Sequence, residues 1–139
     1  MSAFFDTDIL VYPFDSSSPE KRHRARDLFR ERAARDEVLL SVQVLQELYV
    51  TLTRKLARPV RADRAERLVR SFAALPVVAI DAELVLAAVA LSRRNQLSLW
   101  DALIVVAAKA GGASEVLSED LQSGQIIAGL RVVNPFATT

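Results

Sequence analysis

Six acids stand in four short stretches of this chain: Asp6 and Asp8 in FFDTDILVY, Glu47 in SVQVLQELYVTLTR, Asp101 in LSLWDALIVVAA, and Glu119 with Asp120 in VLSEDLQSGQ. Each stretch is otherwise largely apolar, and a buried carboxylate without a partner is costly. Such acids can cap a helix, move protons, or hold a hard divalent cation. Asp6 closes an apolar run that reads as a strand. A turn or cap acid is the ordinary reading there, and it accounts for one of Asp6 and Asp8 but not clearly for both. Asp6 is therefore the expected functional acid and Asp8 an expected helix-start acid.

The other acids each carry a plain structural alternative. SLWD has the S-x-x-D form of a capping box, with Ser98 as N-cap and Asp101 in the first turn. The helix dipole keeps a carboxylate ionised at that point, which also suits a metal ligand. Glu47 points away from the Leu45, Leu48, Tyr49, Leu52 stripe of its helix, as a solvent-facing residue would. Its flanks, Val44 and Val50, are apolar too, as on a helix covered on two sides. Glu119 and Asp120 read as caps of a short turn after a strand. Asp81 reads as the N-cap of DAELVLAAV and His23 as a surface residue, so neither is placed in the site.

The elements that must position these acids follow from periodicity. Short apolar runs at 3–6, 38–41, 77–80, 115–118 and 130–133 read as buried strands. Amphipathic stretches at 20–35, 42–56, 62–74, 82–94 and 99–110 read as helices, the last closed by Gly111-Gly112. The alternation, with a helix also expected before the last strand, predicts a parallel sheet covered by helices. Ligands of such sheets bind at the carboxyl ends of the strands, and the acids gather there. Asp6, Glu47, Asp101 and Asp120 come from four separate segments to one edge. Four carboxylates so close repel one another. A divalent cation relieves the repulsion, and an all-oxygen site suits Mg²⁺ or Mn²⁺.

Composition narrows the chemistry further. The 139 residues fit one domain spanning 1–139, with 51% hydrophobic residues to form its core. The absence of cysteine removes thiolate nucleophiles, disulfides and Cys-type zinc sites, and fits a reducing cytoplasm. A lone histidine excludes a paired-histidine ribonuclease mechanism, and neither a G-x-S-x-G elbow nor a P-loop is present. No secretory signal and no membrane span are expected, since ALIVVAA stops at Lys109. An acid-only site with Mg²⁺ typically handles phosphate esters. The net charge is only +1, yet fifteen of the eighteen basic residues are arginine. Many fall in two blocks, 20–35 and 54–70. They read either as solvated helix faces or as forks for phosphate or carboxylate partners.

In this order and spacing, the four stretches FFDTDILVY, SVQVLQELYVTLTR, LSLWDALIVVAA and VLSEDLQSGQ resemble the PIN-domain ribonucleases. Within them the similarity is greatest to the VapC toxins of bacterial toxin–antitoxin pairs. The resemblance covers essentially the whole chain. It implies an α/β fold, a three-layer α/β/α sandwich around a central, mostly parallel sheet of about five strands. It maps Asp6, Glu47, Asp101 and Asp120 onto the family's acidic quartet, with Asp6 and Asp101 as the surest metal ligands. Asp8 departs from the pattern, standing where many relatives have asparagine; the extra negative charge has two readings, a change in metal affinity or a helix cap. The implied activity is Mg²⁺- or Mn²⁺-dependent endonucleolytic cleavage of structured RNA, such as transfer or ribosomal RNA, by a metal-activated water. The implied partners are a second copy of the chain and a cognate antitoxin that blocks the site. The arginine blocks then have two candidate roles, gripping the RNA backbone or meeting acidic antitoxin residues.

Two other functions remain in view. A haloacid-dehalogenase-like phosphatase would use Asp6 as nucleophile and Asp8 as acid/base, with Ser41 and the Glu119–Asp120 pair imitating its later motifs. Leu10 stands where that signature wants Thr or Val, and Glu47 and Asp101 have no task in it. The other is a non-catalytic PIN-like module that only binds a partner or RNA.

Overall fold

The apolar runs form six strands in a computed structural model that describes residues 1–137. They are β1 (Ala3–Phe5), β2 (Val38–Ser41), β3 (Val77–Val78), β4 (Glu115–Leu117), β5 (Ile126–Ile127) and β6 (Leu130–Val133). The helices are α1 (Thr7–Val11), α2 (Pro19–Ala34), α3 (Val42–Arg54), α4 (Ala62–Ala73), α5 (Ala82–Asn95) and α6 (Leu99–Ala110), with a 3-10 turn at Tyr12–Phe14. The sheet runs β3-β2-β1-β4-β6-β5. Every neighbouring pair is parallel except β5 with β6.

The chain therefore starts in the middle of the sheet, moves outward through β2 to β3, and returns to the other side at β4. Right-handed crossovers in these two opposite directions place helices on both faces, giving three layers. The reversal also opens a crevice between the carboxyl ends of β1 and β4, the switch point where ligands of open α/β sheets bind.

Local chemistry explains most boundaries. Ser41 leaves β2 and caps α3, accepting from the Val44 N–H at 3.3 Å. Asp81 caps α5 by accepting from the Leu84 N–H at 2.8 Å, the role expected of it. Ser98 caps α6 by accepting from the Asp101 N–H at 3.1 Å. At the far end of α6, Gly112 takes φ +80, the left-handed conformation that stops helices. Gly111 packs so tightly there that a Cβ would sit 2.8 Å from Val78 Cγ2 and against the Leu39 methyls. Phe5, Phe29 and Phe72 join β1, α2 and α4 through edge-to-face contacts at 5.8 and 5.4 Å.

Two expectations are corrected. β3 keeps only Val77–Val78 of the expected 77–80. Among the described residues no helix lies between β4 and the last strand; residues 118–125 form bends and turns, and β5–β6 is an antiparallel hairpin. SEDLQSGQ lacks helical apolar periodicity, and Ala128 and Gly129, at φ 51 and 84, supply the positive angles of a two-residue type I′ hairpin turn.

Candidate metal centre at the carboxyl edge of the sheet

Asp6 follows β1 directly and is 7% exposed. It caps α1, with Oδ1 accepting from the Thr7 N–H at 2.7 Å. Its Oδ2 accepts from the Ser118 hydroxyl, also at 2.7 Å. So Asp6 is a cap, and each of its oxygens still has a lone pair free. The Ser118 Oγ also accepts from the N–H groups of Asp120 and Leu121, at 3.2 and 3.4 Å. Ser118, fully buried after β4, thus ties Asp6 to the turn carrying Asp120. It is the turn cap that sequence had assigned to the acids.

Asp8 lies in the first turn of α1, as expected of a helix-start acid, but its side chain does more. Its Oδ2 accepts from the Glu119 N–H at 3.1 Å. Its Oδ1 is buried with no hydrogen-bond partner among the described residues. Carboxylate oxygens of Asp6, Asp8 and Asp120 lie within 4.8 Å of one another. Asp8 is thus the helix-start acid that the sequence suggested and also a member of the tightest cluster of acids.

Glu47 and Asp101 complete the cleft rather than the cluster. Together with Asp6, Asp8 and Asp120 they line a cleft of about 520 Å³ at the switch point. Glu47 Oε1 accepts from the Thr7 hydroxyl at 2.8 Å, joining α3 to α1. Gln43, one turn earlier, donates from Nε2 to the Trp100 carbonyl at 3.2 Å, which holds α3 beside the start of α6 and hence beside Asp101. The Gln43 Oε1 is a second buried oxygen at this cleft without a partner among the described residues. Trp100, 64% exposed, stands at the rim. All four acids predicted for the site therefore share one cleft, Asp8 and Gln43 join them, and Ser118 supports Asp6 from beneath it. Glu119 does not: it accepts from the Tyr12 hydroxyl and from Lys21 Nζ, which itself lies 5.2 Å from the Tyr12 ring centroid.

The electrostatics are those of a buried, mutually repelling acid cluster. Burial pushes the Asp6 carboxyl up to about 6, against the lowering effect of its two hydrogen bonds, and Glu47 and Asp120 add to the rise. Burial and then the charges of Asp6 and Asp120 push Asp8 up to about 8. Asp120 is raised by burial and by Asp101 and Glu119. Orphaned buried oxygens amid converging carboxylates fit a hard, oxygen-liganded divalent cation, with Asp6, Asp8 and Asp120 as its nearest donors.

The raised values predict a pH dependence for the metal-free protein. Unfolded, both groups titrate near 3.8; folded, near 6 and 8. Between these limits the folded state holds more protons, so stability falls as pH rises from about 4 to about 8 and then levels. Thermal melts in chelator from about pH 5 to about pH 8 should show this decline, and it should be shallower for Asp8→Asn. Parallel curves for the two proteins would remove Asp8 from the coupled cluster.

The chain matches the PIN domain family model over residues 3–125. No curated protein matches it by sequence. Among solved structures it is similar to a toxin–antitoxin complex from Klebsiella pneumoniae, at TM-score 0.73 and 23% identity, covering 99% of this chain and 100% of that one. It is similar to Mycobacterium tuberculosis VapC20, a Sarcin-Ricin loop cleaving toxin, at TM-score 0.67 and 20% identity, covering 86% and 92%. A third likeness is to VapBC2 from Rickettsia felis bound to a DNA fragment from its promoter, at TM-score 0.66 and 17% identity, covering 95% and 97%. At these identities the structures speak for the fold, the family model spans most of the chain, and the chain belongs to the PIN domain family.

Proposed function

We propose that this chain is a metal-dependent RNA endonuclease and the toxin of a toxin–antitoxin pair. The observation that carries the reading is the convergence of Asp6, Asp8 and Asp120, one with an orphaned oxygen, at the β1/β4 switch point. Family membership and the toxins among its structural relatives support it. The phosphatase alternative has no use for Glu47 and Asp101, which line the same cleft.

Mg²⁺ or Mn²⁺ is the ion this donor set suits. Bound there, it would supply Lewis acidity, lowering the pKa of a water and offsetting charge on the phosphate. The chain's own residues do the rest. Asp6, fixed by Thr7 and Ser118, and Asp8, fixed by the Glu119 N–H, present preset oxygens to the ion. Asp120 joins them as the third near donor, and Asp101 adds charge beside it. Glu47, held by the Thr7 hydroxyl, is placed to orient the attacking water and accept its proton. Trp100 at the rim offers a flat surface against which a nucleobase can stack.

The partners this reading implies are an RNA substrate, an antitoxin covering the cleft, and a second copy of the chain. No helix among the described residues is long and apolar enough to cross a membrane, and the proposed place of action is the cytoplasm. Induced expression in a bacterial host tests the toxin half. Wild type should arrest growth and Asp6→Asn should not, at matched protein levels. Equal growth of the two strains would sink the toxin assignment and leave the nuclease assignment to a cleavage assay.

A further inference from the structure

The two arginine blocks have different surroundings. In the first, Arg32 is tied to Glu115 and, at 3.5 Å, to Glu37, while Arg35 pairs with Glu31 at 3.3 Å. Those contacts hold α2 to neighbouring strands or lace its surface. In the second block, Arg58, Arg61, Arg64 and Arg67 gather with Phe14 and Ser16 around a depression of about 560 Å³. Asp63 is the carboxylate beside them. It takes Arg61 through Nε and Nη2, at 3.2 and 2.8 Å, and lies 3.7 Å from Arg67. Arg58 and Arg64 have no ion-pair partner among the described residues. Four guanidiniums against one carboxylate leave a surplus of three positive charges in one groove.

The groove also has an aromatic floor and a fixed position. The Arg64 guanidinium lies 5.8 Å from the Phe14 ring centroid. An aromatic face beside arginines is the pattern of a single-strand platform, where rings take bases and guanidiniums take phosphates. The groove shares two walls with the acid cleft. Residues 12–16 give Tyr12 and Asp15 to the cleft and Phe14 and Ser16 to the groove. Residues 55–61 give Lys55 to the cleft, its one lining cation among the described residues, and Arg58 and Arg61 to the groove. A strand leaving the acids along this wall meets Lys55 first and the arginines next.

We propose that the Phe14–Arg58–Arg64 groove binds the phosphodiester backbone of the RNA strand beside the scissile bond. This rests on the nuclease reading for the name of the ligand, while the charge and the aromatic floor stand without it. An acidic peptide would satisfy the arginines too, but it would leave unexplained both Phe14 and the shared wall with a phosphate-handling cleft.

The test is fluorescence anisotropy of a labelled 14-nucleotide single-stranded RNA with the full chain in chelator, over a series of salt concentrations. The variant is Arg58→Gln with Arg64→Gln, which leaves the Arg61–Asp63 contact intact. Its circular dichroism and its Mg²⁺-induced rise in melting temperature should match wild type. Its affinity at low salt should fall by about 10- to 30-fold, and its salt slope should drop by about 1.4, since each phosphate contact to a single strand is worth about 0.7. Unchanged affinity and slope would overturn the proposal, as would failure of the wild type to bind. A labelled poly-glutamate peptide that loses binding while RNA binding persists would also overturn it and assign the groove to an acidic protein. Cleavage is not scored, so the nuclease reading can fail separately. RNA held through the groove but never cut in metal would leave this proposal standing.

Discussion

Asp8→Asn is expected to raise the melting temperature of the metal-free protein and to remove most of its response to Mg²⁺. Asp8 Oδ2 accepts from the Glu119 N–H at 3.1 Å, a bond an amide oxygen can keep. Its Oδ1 is buried without a partner among the described residues and faces the charges of Asp6 and Asp120. An amide NH₂ there turns a repulsive contact into a donor aimed at those carboxylates. Relief of burial and repulsion together is worth roughly 2 kcal/mol at neutral pH, or about 5–10 °C for a domain of this size. In wild type, saturating Mg²⁺ should raise the midpoint by mass action, by about 2.7 kcal/mol at a hundredfold excess over Kd. The sign decides the matter. Were Asp8 only a helix-start acid, loss of its charge at the α1 N-terminus would lower stability by about 0.3–1 kcal/mol and leave the metal response intact. Differential scanning fluorimetry with and without Mg²⁺ reads both quantities.

Asp6→Asn is expected to cut metal-dependent RNA cleavage by roughly 10³-fold, about 4 kcal/mol of transition-state stabilisation. Asp6 is the acid with both oxygens preset, one by the Thr7 N–H and one by the Ser118 hydroxyl. Asparagine can accept only one of these bonds, and its NH₂ replaces the other oxygen. It therefore loses a metal donor and disturbs the β1–β4 junction at once. Glu47→Gln should cost less, roughly 10²-fold, the low end for loss of a general base, because Gln retains an oxygen for the Thr7 hydroxyl and Glu47 lies outside the tightest cluster. Single-turnover rates in saturating Mg²⁺ compare the two. An order of loss in which Glu47→Gln exceeds Asp6→Asn would move the centre of the site onto α3.

The strand ends were readable because each is an apolar run closed by a polar residue, and topology sends all such ends to one edge. That placed Asp6, Glu47, Asp101 and Asp120 around a common cleft before any contact was known. Asp8 was only half legible for a physical reason. Local pattern assigns it to the first turn of a helix, which is correct, but its orientation depends on the Glu119 N–H, 111 residues away. Ser118 was hidden in the same way, since its hydroxyl serves Asp6 across 112 residues. A helix expected before the last strand gave way to a hairpin because Ala128-Gly129 turns the chain in two residues. The arginine blocks looked alike as composition and separated only in space, where four arginines of the second line one depression.

The most direct test is cleavage of a mixed transfer-RNA and ribosomal-RNA pool by the purified chain. It runs with Mg²⁺, with Mn²⁺ and with chelator, beside Asp6→Asn. The expected result is discrete fragments that require the metal and are absent with the variant. Fragments that persist in chelator, fragments equally produced by Asp6→Asn, or an intact pool with folded, antitoxin-free protein would contradict a metal-dependent ribonuclease built on these acids.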